Sequence, residues 1–179
     1  LALTFFGGED LFFLEKPAIL ILVPYLLFLL LRSNMNIRKA TLTDQPMLSN
    51  LLTQLGYPST EEFLMANLER MLGQPQSEVL VYELEGKVLG VIAFDFLTQL
   101  VVKGDFARIS CFAVDENARG MGVGKALEEY FTDLAIARKC DRIEVHCHSR
   151  RVDAHRFYYR QGYQESPKYL MKSLADRHA

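Results

Sequence analysis

An excess of positive charge is missing from this sequence: 20 Lys and Arg stand against 22 Asp and Glu, a formal net charge of −2 over 179 residues. A chain with no positive field has no general means of holding a polyanionic backbone, which argues against a nucleic-acid partner. Cysteine is scarce as well. Cys111, Cys140 and Cys147 are odd in number and lack close paired spacing, which fits reduced thiols in the cytoplasm better than a disulfide framework. Internal repeats and low-complexity linkers are also absent. Half of the residues are hydrophobic, enough for one domain with a substantial core.

No apolar run reaches the roughly 20 residues that a bilayer-spanning helix needs. The longest, Pro17 to Leu31, is preceded by Glu15 and Lys16 and carries Pro17 and Pro24, which weaken a helix. A basic amino-terminal region of the kind that opens a signal peptide is lacking too: Glu9, Asp10 and Glu15 occupy that stretch, and no small-x-small cleavage site follows. Residues 1–34 therefore read as a hydrophobic extension upstream of a natural start at Met35, less readily as a membrane anchor, and residues 35–179 read as the domain. An anchor would leave Arg32, Arg38 and Lys39 on its carboxyl side, holding the domain in the cytoplasm.

What is present is a change of hydrophobic period along the chain. Asn36 to Ala40 alternates as a short strand. Thr43 is placed as the N-cap of a helix whose face is Met47, Leu48, Leu51, Leu52 and Leu55, with Leu42 and Met47 as a hydrophobic staple and Gly56 and Pro58 as its end. Ser59, with Glu62 three residues on, predicts the cap of a second helix whose face is Phe63, Leu64, Leu68, Met71 and Leu72. Val79–Leu84 and Val88–Phe96, joined at Glu85-Gly86, read as a hairpin, and Ala107–Val114 as a buried strand. A helix with Val123, Leu127, Tyr130, Phe131 and Leu134 on one face follows, then a strand from Arg142 to His148, a helix from Val152 to Arg160 and a last strand from Lys168 to Leu174.

Gly120, Gly122 and Gly124 alternate between a strand and the first turn of a helix. Glycine admits positive φ and lets backbone amides approach a ligand closely, and amides at a helix start converge on an anion. The turn thus suits phosphate, with Arg119 and Lys125 flanking it. It is not a P-loop, because Ala126 stands after Lys125 where a magnesium-binding hydroxyl belongs, and G-x-G-x-G after several strands is not the dinucleotide fingerprint.

Arg119-Gly120-Met121-Gly122-Val123-Gly124, preceded by a strand ending Phe112-Ala113-Val114, resembles the Arg/Gln-x-x-Gly-x-Gly/Ala signature of the GNAT superfamily of N-acetyltransferases. Ala154-His155-Arg156-Phe157-Tyr158 through Tyr163 is similar to a second segment of that family, and the stretch from Asp153 is nearest the aminoalkylphosphonate acetyltransferase group. The resemblance runs from residue 36 to about residue 174. It implies an α/β fold, in the α+β sense, with a mixed central sheet, splayed strands and flanking helices. It also implies acetyl-CoA as co-substrate, held by Phe112, Ala113 and Val114 along the strand edge and by residues 119–125 (Arg119, Gly120, Met121, Gly122, Val123, Gly124, Lys125) at the pyrophosphate. A homodimer is compatible with it.

By the same resemblance, an amine attacks the thioester directly through an oxyanion that backbone amides stabilise, and Tyr158 serves the leaving thiolate. Tyr159 reads as packing or surface. The position that many relatives fill with a glutamate base holds Cys111. Strand alternation from Arg142 to His148 would put Glu144, His146 and His148 on one face, offering Glu144 or His146 as a base through water and His148 as a cofactor contact. That alternation turns Cys147 from the two histidines, so no metal site is expected. Arg150 and Arg151 read as a solvated pair or as ligands of an anion. A small-molecule primary amine is the expected acceptor. The alternatives are a protein amino terminus, or an acetyl-CoA-binding regulatory module with little catalysis.

Overall fold

The computed structural model describes residues 36–166 and 170. The extension at residues 1–34 lies outside them, as does the expected last strand except for Leu170. Among the described residues five strands form one sheet in the order β1-β2-β3-β4-β5: β1 (Ile37–Lys39), β2 (Ser77–Leu84), β3 (Lys87–Leu97), β4 (Phe106–Val114) and β5 (Arg142–Val145). Neighbours run antiparallel except β4 and β5, which are parallel. The described residues also form four α-helices that flank the sheet: α1 (Gln45–Gln54), α2 (Glu61–Leu72), α3 (Val123–Ala137) and α4 (Val152–Arg160). The mixed α/β architecture expected from the sequence is the one observed.

Two-residue alternation divides the core between the two faces of the sheet. Leu80, Ile92, Phe94 and Ile109 pack with Val123, Leu127 and Phe131 of α3 and Tyr158 of α4. Val79, Val81, Val91 and Ala93 pack with Leu48 and Leu51 of α1 and Leu68 of α2. A Cβ at Gly90 would come 2.9 Å from Val123 Cγ1 and 3.0 Å from Leu127 Cδ1, so its absence lets the first turns of α3 lie directly on β3. Among the described residues no helix is long and apolar enough to cross a membrane.

Both helix starts expected near residues 43 and 59 are shifted. The cap at the first is Thr41, which opens a 3-10 turn over Leu42–Asp44 in a capping box with Asp44. Asp44 outcompetes Thr43 because it has stronger partners: Arg38 reaches both its oxygens at 2.7 Å, and the Thr41 amide donates to it at 2.7 Å. Ser59 takes a positive φ of 60°, and the helix begins after Thr60, with Glu61 accepting from Ser49 Oγ at 2.6 Å. Phe63 and Leu72, placed on the inner face by their spacing, are 51% and 38% exposed.

The Asp44 carboxyl is held below its ordinary pKa, first by its bond from Arg38 and then by Thr41, against the opposing effect of burial. A lowered pKa means that its stabilisation is present above the ordinary carboxylate range and is lost as pH falls through the lowered value. Asp44→Ala removes a cap and leaves Arg38, itself partly exposed, with Glu83 as its one carboxylate. The expected cost is about 2–3 kcal/mol in urea unfolding at neutral pH, shrinking in acid; a change below about 0.5 kcal/mol would be the behaviour of an ordinary surface site.

Candidate active site

The central feature is a split between β4 and β5. They pair only from Phe106↔Arg142 to Ile109↔Val145. There β4 bulges: Phe94 faces Ile109 and Ala93 faces Cys111, leaving Ser110 as the extra residue, whose hydroxyl donates to the Ala93 carbonyl at 3.1 Å. A bulge bends its strand and raises its twist. β4 continues along β3 to Val114, whereas β5 ends at Val145. The Asp115 amide donates to the Leu89 carbonyl, so by alternation the backbone groups of Phe112 and Val114 face away from β3, into the split. The Phe112 and Val114 side chains pack toward α3 and α4, and that of Ala113 packs toward α1 and α2.

The glycine turn lies just beyond this edge and is braced from α1. Gln54 Nε2 donates to Asp115 Oδ2 at 3.0 Å and Gln54 Oε1 accepts from the Glu116 amide at 2.9 Å. Asp115 in turn caps the short 3-10 turn Glu116–Ala118. Gly120 and Gly122 have φ of 79° and 86°, and Gly122 is the residue before α3 with no side chain capping the helix. Nothing lies within 4 Å of a Cβ added to either glycine. The amides at the start of α3 therefore open on free space, next to the exposed Arg119 and Met121. Val123 is buried beneath the turn, and Gly124 packs against Phe157 and Val114. Lys125 lies 3.6 Å from Glu129 along the exposed face of α3.

Tyr158 of α4 is buried among the rings of Phe112, Phe157 and Tyr163. Burial raises its pKa above the ordinary tyrosine range, with Cys147, Cys111 and Glu128 adding to the effect and Arg151 opposing it. The phenol thus keeps its proton through neutral and alkaline pH. No described group hydrogen-bonds its hydroxyl, and it is not among the fully sealed, partnerless polar atoms of the described residues. Tyr159 is exposed and donates to Glu165 at 2.7 Å.

The strand expected from Arg142 to His148 is shorter than its sequence suggests, and its pairing stops before the two histidines. The strand stops at Val145, where β4 has bent away and offers it no further backbone partners; Ile143, Val145 and Cys147 nevertheless all pack against the cluster under α3 and α4. Glu144 lies on the paired stretch opposite Arg108, whose guanidinium donates to it at 2.8 and 3.2 Å. His146 is exposed beyond the strand end. His148 is also exposed, its Nδ1 accepting from the Arg150 amide at 3.2 Å and its carbonyl from His155 Nε2 at 3.1 Å. Among the described residues no group of three or more His, Cys, Asp or Glu is arranged to hold a metal ion.

Burial pushes the Cys111 thiol up to about 11, with Arg151 pulling against it, so Cys111 is neither a thiolate nor a base near neutral pH. Sequence reading missed one group and left another between two readings. Glu128 is a buried carboxyl on α3 that accepts from Thr132 at 2.9 Å and Tyr163 at 3.1 Å, and burial raises its pKa. Arg151 is not one of a solvated pair: it is half-buried and donates to the Leu55 carbonyl at 2.9 Å. Nothing local in residue 128 or 151 signals these contacts.

Comparison with known proteins agrees with this geometry. The model of the acetyltransferase (GNAT) family matches residues 45–163. An uncharacterized N-acetyltransferase of Methanocaldococcus jannaschii is 33% identical over 96 residues, which cover 50% of this chain and 56% of that protein. The match thus spans about half the length of that relative. A transcriptional regulator from Bacillus halodurans superposes with a TM-score of 0.73 at 22% identity, over 79% of this chain and 100% of that one. A glucosamine-6-phosphate N-acetyltransferase from Arabidopsis thaliana does so with a TM-score of 0.68 at 22% identity, over 79% and 99% of the two chains. At these identities the likeness to the solved structures is one of fold.

Proposed function

The chain belongs to the GNAT family of acetyltransferases, and from that premise we propose that it transfers an acetyl group from acetyl-CoA to a primary amine of a small molecule, by direct attack of the amine nitrogen. The observation that carries this reading is the pairing of β4 with β5 that ends at Ile109 and Val145, leaving the Phe112 and Val114 backbone unpaired beside the open glycine turn. The residues present fit acetyl-CoA: Phe112 and Val114 offer backbone donors and acceptors along the split, and residues 119–124 offer amides to its pyrophosphate. Acetyl-CoA supplies an acyl carbon already activated as a thioester.

The remaining roles fall to the chain's own side chains. Tyr158, kept protonated by its burial, donates a hydrogen bond or a proton to the departing sulfur. The amine loses its proton to water at the mouth of the split, where the exposed His146 is the titratable group at the end of β5; Glu144 is turned to Arg108. Raised by burial, Cys111 stays a thiol, which favours one direct transfer over an acyl-enzyme. The domain is residues 35–179, and a version beginning at Met35 is expected to retain activity.

The test is release of free CoA thiol from acetyl-CoA across a panel of primary amines and short peptides, with the acetylated product identified by mass. The expected result is amine-dependent release with one acetyl added per CoA. A second reading, an acetyl-CoA-binding module with little catalysis, rests on Cys111 at the position matched to a base; tight binding of acetyl-CoA with no acceptor turned over would select it.

A further inference from the structure

Arg151 is placed where solvation does not account for it and a single contact to a helix end uses little of its hydrogen-bonding capacity. It ends the loop that follows β5 and precedes the first turn of α4. Its Nη2 donates to the Leu55 carbonyl at the end of α1, and its guanidinium lies 5.7 Å from the centre of the Tyr57 ring. One N–H of five is thereby used, at the negative end of a helix. No carboxylate lies within ion-pair distance of it among the described residues; Arg70, Arg119, Arg150 and Arg160 share that lack but are exposed, whereas Arg151 is half-buried, and Arg38, Arg108, Arg138, Arg142 and Arg156 each have at least one such partner.

The surroundings of Arg151 are those of the split sheet. Its charge is felt by Cys111, Cys147 and Tyr158, all of which are protonated near neutral pH and leave it unbalanced. Cys111 packs toward α1 and α2, the face of the sheet opposite the one that carries the glycine turn and α3. The first turn of α4 adds the positive end of a helix, and no side chain caps it. Its one acid, Asp153, has a side chain 97% exposed and pairs with Arg156.

We propose that Arg151, with Tyr57 beside it, is the anion-recognition group of the acceptor site, so that the acetylated amine also carries a carboxylate or a phosphoryl group. This rests on the acetyl-transfer reading given above for the same site. A guanidinium with a planar fork of free donors recognises the oxygens of such groups in pairs, and partial burial strengthens the contact relative to one made in water. The anion on Arg151 orients the amine end toward the thioester beside Tyr158, converting affinity into alignment.

The experiment uses matched acceptors that differ only in charge: an ω-amino carboxylate and its primary amide, and an aminoalkyl phosphate and the corresponding amino alcohol. Each is tested for acetylation and, separately, for equilibrium binding to the protein saturated with CoA. The expected result is that at least one anionic member exceeds its neutral partner by about tenfold or more in kcat/KM and in affinity, the two anionic arms showing which oxygen group is preferred. Arg151→Gln should bring that ratio toward one. Arg151→Lys, which keeps a donor for the Leu55 carbonyl and the charge but not the fork, should leave part of it.

Neutral and anionic members acetylated and bound equally by the unaltered protein would overturn the proposal while leaving acetyl transfer standing. Preferential binding of anionic amines without acetylation of any would uphold anion recognition and remove the catalytic reading. Because the matched pairs are compared in the unaltered protein, the test does not depend on either variant folding.

Discussion

Gly122→Val is expected to weaken acetyl-CoA binding by about 100-fold or more while the domain remains folded. Gly122 sits at φ 86° immediately before α3, where an L-residue costs about 1–2 kcal/mol. A side chain there meets no protein atom, since nothing lies within 4 Å of the added Cβ. It fills instead the space above the first amides of α3, where a pyrophosphate would lie. Losing about two charge-assisted hydrogen bonds, at about 1.5–3 kcal/mol each, gives the stated loss in affinity. Gly86 supplies the control: φ is 75°, the Cβ space is equally open, and it lies in the β2–β3 hairpin turn. Gly86→Val should impose similar backbone strain and leave acetyl-CoA affinity within about twofold. Calorimetric titration of both variants decides the matter. Equal affinities in the two would mean that the glycine turn does not hold the cofactor.

Tyr158→Phe should lower kcat by about 100-fold with little change in acetyl-CoA affinity, the magnitude expected when a positioned acid is removed. The ring contacts with Phe112, Phe157 and Tyr163 survive in phenylalanine. No described group hydrogen-bonds the hydroxyl, so its removal leaves no buried partner stranded, and the thermal midpoint should move little. The pH profile gives a second reading. Burial raises the Tyr158 pKa, so its acid form persists above the pH at which an ordinary tyrosine ionises. Activity should therefore rise with pH as the acceptor amine loses its proton and show no falling limb near pH 10. Turnover within about twofold of the unaltered enzyme would assign the leaving-group role to another residue.

Local pattern carried the sheet and its helices. Alternation in Val79–Leu84 and Val88–Phe96 reflects burial on both faces of a central hairpin, and the paired positive φ of Glu85 and Gly86 is what a tight two-residue turn requires. The glycine turn was legible because its spacing reports a backbone requirement. The split was not derivable from residues alone and entered as an implication of the family resemblance. The bulge at Ser110 and the end of β5 at Val145 depend on which strands pair, a long-range property, and Arg142 to His148 by itself looks like one continuous strand. For the same reason the strand expected to run to His148 loses its ladder partner after Val145. Helix starts misled by a different route: Thr43 is a good cap, but Asp44 is claimed by Arg38 across the turn. Glu128 and Arg151 were opaque because their partners, Tyr163 and the Leu55 carbonyl, are 35 and 96 residues away in sequence.

Thermal unfolding of the version beginning at Met35, in the presence of acetyl-CoA and separately of ATP and NADH, tests most directly that the split sheet and glycine turn form an acetyl-CoA site. At 100 times Kd a ligand adds about 2.7 kcal/mol of stability, which for a domain of this size raises the midpoint by several degrees. The expected result is a saturable rise with acetyl-CoA and none with the other two nucleotides. A flat response to acetyl-CoA beside a rise with ATP or NADH would contradict it and give the glycine turn to a different ligand.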